Sequence, residues 1–220
     1  MDWLAPVDGY CERTGPDYWS EPINALTNLA FLIAAAVVWP RVRGMATGQV
    51  LCVILACIGV GSWLFHTHAN RLTGLMDVLP IVVFILAYVF VATRDFLGQR
   101  AWVAGLAAVG FIPYAIVLTP VFRTLPFFEV SAFYWPVPVL ILTYAWLLRR
   151  SDPATSAGLA WGAGILMISL TFRSLDYPLC EATAGIGTHF MWHVLNGVML
   201  GWMIEVWRRW KVARGGRPAV

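Results

Sequence analysis

Residues 48–67 read GQVLCVILACIGVGSWLFHT, a stretch without Asp, Glu, Lys or Arg. A helix needs roughly 20 residues to cross the hydrocarbon core of a bilayer, and in lipid it must satisfy its own backbone N–H and C=O groups. The stretch therefore reads as a membrane span. It ends on Gly61-Ser62-Trp63-Leu64-Phe65-His66, which puts a hydroxyl and an imidazole near the bilayer surface.

Working outward, comparable apolar runs fall at about 22–40, 74–92, 102–120, 130–148, 157–173 and 188–207. The breaks between runs carry turn and charge residues, as in Pro40-Arg41-Val42-Arg43-Gly44, His68 to Arg71, Arg94 to Arg100, and Arg149 to Pro153. Pro80, Pro113, Pro136 and Pro138 fall inside or at the edges of runs, where neighbouring helices satisfy the carbonyls a kink frees. Of the 220 residues, 60% are apolar and 12% charged, about half the charge of an ordinary soluble domain. Twelve Trp, many near the charged ends of the runs, suit the aromatic belts of a bilayer protein. The expected fold class is all-α, a polytopic seven-transmembrane helix bundle forming one domain over 1–220. An acidic outer segment covers 1–21 and a basic tail covers 208–220. The opening MDWLAPVDGYCERTGPDYWSEP is polar and turn-rich and does not read as a signal peptide. A net charge of +3 gives no support to nucleic-acid binding, and no obligatory protein partner is evident.

With seven spans, one side holds Arg13, Arg71, Arg123 and Arg173. The other side holds the remaining eleven basic residues, Arg41, Arg43, Arg94, Arg100, Arg149, Arg150, Arg208, Arg209, Lys211, Arg214 and Arg217. The positive-inside rule then puts the amino terminus outside and the tail in the cytoplasm. A count of six would place the two most biased segments on opposite sides.

Three groups of polar residues share the outer side: Ser62 with His66, Asp77, and His189 with His193. Residues at i and i+4 share a helical face, so His189 and His193 can chelate one ion together. Asp77 lies about one turn inside the membrane, where an unpaired carboxylate is expensive. Convergence of His66, His189 and His193 would leave an open fourth position, the pattern of catalytic zinc. Asp77 would then handle the proton of a water, and Ser62 would bond a developing oxyanion. The plainer alternative is three interfacial histidines. His68 reads as solvated, and two histidines on one face of one helix do not suit the two axial positions of a haem. Cys52 and Cys57 lie in the apolar body of the second span. Cys11 and Cys180 both fall in outer segments, where they would either form a disulfide or stand as two free thiols. Asp8, Glu12, Asp17 and Glu21 make either a calcium site or a solvated acidic face.

Several pieces together resemble the alkaline ceramidase family, within the seven-helix membrane hydrolases that also include the progestin and adiponectin receptors. They are Cys11-Glu12, Glu21-Pro22-Ile23-Asn24-Ala25-Leu26-Thr27-Asn28, GSWLFH at 61–66, LMDVLP at 75–80 and THFMWH at 188–193. The resemblance implies zinc on His66, His189 and His193, with Ser62 and Asp77 catalytic, and a Cys11–Cys180 disulfide. It also implies calcium on Glu12 and Glu21, with Asp8 or Asp17 compensating for two departures. The family places an Asp where Gly9 stands and an Asn where Thr14 stands. The implied activity is zinc-dependent hydrolysis of ceramide or a related N-acyl membrane lipid. Short loops suggest a bacterial member in the inner membrane, its site towards the periplasm. The alternatives are a receptor-like or lipid-sensing protein with structural zinc, and a transporter. The mostly apolar inner halves of the spans speak against the transporter.

Overall fold

The computed structural model describes residues 2–215, and seven helices account for most of them. These are α1 (Pro22–Val42), α2 (Ala46–His68), α3 (Arg71–Phe96), α4 (Ala101–Arg123), α5 (Pro136–Leu148), α6 (Pro153–Ser174) and α7 (His189–Ala213). Among the described residues there is no β-strand, only an isolated antiparallel bridge between Pro6 and Asn70. Five helices, α1 to α4 and α6, are long and apolar enough to cross a membrane.

The other two depart from that pattern for identifiable reasons. The fifth apolar run was expected from residue 130, but its helix starts at Pro136, after a 3₁₀ turn over Glu129–Ser131. Proline has no N–H to donate, so it suits the first turn of a helix and not its interior. The resulting 13 residues advance about 20 Å. Helix α7 has 25 residues, but His189, His193, Asn196 and Glu205 break its apolar character.

Local chemistry sets the turns. Asn70 Oδ1 accepts from Thr73 N at 3.0 Å while Thr73 Oγ1 accepts from Asn70 N at 3.1 Å, a reciprocal box that starts α3 directly after α2. Asp152 caps α6 by accepting from Thr155 N, with Pro153 at the first helical position. Sequential helices pack side by side from α1 to α7, and α7 closes the ring against α1 while also touching α2. On α4, Trp102, Leu106, Val109, Ile116 and Val117 are all exposed. An apolar helical face left uncovered at that scale belongs against lipid.

The two helices that carry Ser62, His66 and Asp77 meet at Gly61. A Cβ there would lie 2.0 Å from the Met76 carbonyl oxygen, so only a glycine lets α2 approach α3 this closely. Because the clash is with backbone, it cannot be relieved by a rotamer change. Gly61→Ala is therefore expected to destabilise the protein by about 2 kcal/mol or more, read as a lowered midpoint in thermal unfolding of the detergent-solubilised chain.

Candidate metal centre and active site

His66 lies in the last turn of α2, and His189 and His193 lie in the first turns of α7. The contact of α7 with α2 and α1 brings them together. One ligand nitrogen from each ring lies within 4.8 Å of the others. The three side chains are 0, 2 and 1% exposed. His66 Nδ1 donates to Glu21 Oε2 at 2.5 Å. His193 Nδ1 faces Thr27 Oγ1 at 3.0 Å, and Thr27 in turn donates its hydroxyl to the Ile23 carbonyl. With the Nδ1 atoms so engaged, each Nε2 keeps a lone pair. His66 Nε2, His193 Nε2 and His189 Nδ1 are buried without a hydrogen-bond partner. Buried polar atoms are nearly always paired, so three converging histidines, each with an unpaired ring nitrogen, offer a donor set that fits a metal ion. Neutral imidazoles suit zinc among other transition metals.

The segment before α1 folds over these rings. Tyr10 stacks on His189 with ring centroids 3.8 Å apart, and burial pushes its phenol well above the ordinary range. A disulfide joins Cys11 to Cys180, the pairing expected from the sequence. Asp176 locks this end to α7. Its Oδ1 accepts from Thr188 N and His189 N, at 2.8 and 2.9 Å, and its Oδ2 accepts from Cys11 N at 2.9 Å. Gly187 sits at φ +70°, and a Cβ there would be 2.2 Å from Asp176 Oδ1, so both its backbone angle and its bareness are required.

Ser62 is buried one turn before His66 on the same helix, and its hydroxyl neighbours the half-buried Asp77 carboxyl of α3. Arg173, at the end of α6, lies near enough to act electrostatically on Asp77, His189 and His193. It donates to the Val130 carbonyl at 2.7 Å and stands 5.2 and 5.7 Å from the Tyr134 and Trp192 ring centroids. His68 is exposed, as expected.

The acidic segment lends the calcium expectation no support. Asp8, Glu12 and Glu21 do not gather into a cation site among the described residues. Asp8 and Asp17 are exposed. Both oxygens of Glu12 accept backbone N–H groups at the start of α1, from Ile23 at 2.7 Å and Asn24 at 2.8 Å. Glu21 is bound by Arg13 Nε, and the same guanidinium donates to the carbonyls of Gly15 at 2.9 Å and His66 at 3.1 Å. An internal cation thus answers the carboxylate and two carbonyls. Burial raises the Glu21 carboxyl above its ordinary range, with Arg13 acting against it.

The family model described as Ceramidase matches residues 9–216. The chain belongs to the ceramidase family. No curated protein matches it. Membership supports ceramide hydrolysis, the cleavage of an amide.

An apolar cavity lies among the helices. It is lined by Phe31 of α1, Ile81 and Phe84 of α3, Leu166 of α6, and Trp192 and Met203 of α7, among others. Ile81 is one turn below Asp77 and Trp192 adjoins His193, so the cavity begins directly beneath the polar cluster. Of the residues that hold the histidines, Thr27 and Glu21 fell in matching segments. Asp176, Tyr10 and Arg13 gave no local signal, because they lie outside the helices and no helical spacing relates them to the partners they meet.

Two outcomes follow for a ceramidase built this way. Asp176→Ala leaves three buried N–H groups unpaired, so it is expected to cost about 2–4 kcal/mol, measured as a lowered unfolding midpoint and weakened metal retention on dialysis. Millimolar calcium, compared with a calcium chelator, is expected to leave the unfolding midpoint of the native chain unchanged. A saturable rise of several degrees would show that Arg13 does not fill the site.

Proposed function

We propose that this ceramidase is a zinc-dependent intramembrane amidase that cleaves ceramide or a related N-acyl lipid into a fatty acid and a long-chain base. The observation that carries the reading is three buried histidines that each offer a ligand nitrogen within 4.8 Å of the others and each keep an unpaired ring nitrogen, next to Ser62 and Asp77 and above an apolar cavity. When bound by His66, His189 and His193, a zinc ion supplies Lewis acidity that polarises a carbonyl and eases proton loss from water.

The chain's own residues perform the rest. Asp77 takes the proton of the attacking water and returns it to the amide nitrogen as the C–N bond breaks. The water oxygen ends in the acid and the proton on the amine, so the hydrolysis balances. Ser62 donates its hydroxyl to the carbonyl oxygen as negative charge builds there. Glu21 and Thr27 hold His66 and His193 in the orientation that leaves Nε2 free. Tyr10, tethered by the disulfide next to it, covers His189 and limits water. The acyl chain enters sideways from the lipid and lies in the cavity. From His193 to Met203, α7 advances about 15 Å, room for a long chain. The excess of basic residues at the opposite end of the helices orients the site towards the outer leaflet, with the amino terminus outside.

Purified protein is expected to retain about one zinc per chain and to lose ceramide turnover when a chelator removes it, with recovery on adding zinc. Asp77→Asn should keep the metal and lose roughly 10²–10⁴ of the rate, whereas His193→Ala should lose both. Full turnover by the metal-free protein or by His193→Ala would sink the proposal.

A further inference from the structure

One polar side chain in the cavity has no task in that scheme. Asn196 lines the cavity and is 5% exposed, and its Oδ1 is buried without a hydrogen-bond partner. The other deep polar groups of the lining are already engaged. Tyr88 donates its hydroxyl to the Met203 carbonyl at 2.9 Å, and the Tyr144 hydroxyl is 2.6 Å from Thr93 Oγ1. A buried acceptor left unpaired in an apolar wall is costly, and a leucine of the same shape would avoid that cost.

Its position limits what it can meet. Asn196 follows His193 by three residues, so its Cα lies about 4.5 Å deeper along α7. Side chains on a helix lean back towards its amino terminus, which brings the amide nearer the level of the histidines. A carbonyl reacting beside His193 therefore places the first carbons of its acyl chain next to this amide. We propose that Asn196 is a specificity residue that accepts a hydrogen bond from a hydroxyl on the second or third carbon of the acyl chain. The favoured substrates are N-(2-hydroxyacyl) or N-(3-hydroxyacyl) lipids. The inference rests on the amidase reading in assigning the acyl chain to the cavity.

A plain acyl chain leaves Asn196 Oδ1 unpaired and a hydroxylated one satisfies it, a difference that discriminates by at least about tenfold. The test compares kcat/KM of the full-length, metal-loaded protein on N-acyl sphingoid amides of equal chain length, unsubstituted, 2-hydroxylated and 3-hydroxylated. One hydroxylated form should be preferred at least about tenfold, and in Asn196→Leu the ratio should fall to near one. Equal rates on all three amides, or a preference that persists in Asn196→Leu, would overturn the hydroxyl site while leaving the amidase intact. If no amide is cleaved, the amidase reading fails and binding decides the hydroxyl site. The matched free fatty acids, with and without the hydroxyl, are then titrated against the unfolding midpoint. The hydroxylated acid must stabilise the native chain more, and Asn196→Leu must erase the difference; equal shifts overturn the site.

Discussion

At the end of the bundle that holds the histidines, one carboxylate stands between an arginine and an imidazole, and much of the arrangement depends on it. Glu21 is almost wholly buried, and a buried carboxylate is stable only when its charge and lone pairs are met. Arg13 meets one oxygen and His66 Nδ1 the other, with Asn24 adding a third donor. Through Arg13 the same carboxylate is tied to the Gly15 and His66 carbonyls. The segment before α1, the start of α1 and the end of α2 thus form one electrostatic unit. Removing Arg13 would leave the Glu21 charge uncompensated in a dry environment.

A second carboxylate does the same for α7. Asp176 takes the first N–H groups of that helix on one oxygen and the Cys11 N–H on the other, so the amino-terminal segment and His189 are placed together. The disulfide adjoins this contact and holds the same two segments covalently. The three histidines come from helices that pack against each other, and the parts that aim them come from outside those two helices. A rigid surround of this kind keeps the imidazoles from turning to other partners.

The two ends of the bundle contrast. Away from the histidines, Glu205 is bound by Arg208 and Arg209, Asp95 by Arg94 and Trp207, and Asp152 by Arg214. Carboxylates there have conventional partners. At the histidine end, imidazole nitrogens and the Asn196 carbonyl oxygen are left without any. Asn24 and Asn28 of α1, Trp135, and Trp210 at the other end also carry a buried unpaired atom, but only at the histidines do such atoms come from three side chains that converge.

How much of this could be read along the chain follows from the range of each signal. Twenty-residue apolar runs and their punctuation located six of the seven helices closely; the fifth was misjudged in length, because Pro136 and Pro138 mark a helix start that hydropathy overlooks. The i, i+4 spacing of Ser62 with His66 and of His189 with His193 put each pair on one face, and with Asp77 these suggested the chemistry. Such patterns are legible because a helix repeats every few residues. The acidic residues near the amino terminus were ambiguous, since composition does not say which partner a carboxylate finds. Only the tertiary structure decided that Arg13 and the α1 backbone occupy Glu21 and Glu12, that Asp176 holds His189, and that Asn196 stands unpaired beneath His193. Those contacts join a loop residue to a separate element, and the periodicity within one helix carries no record of a partner outside it.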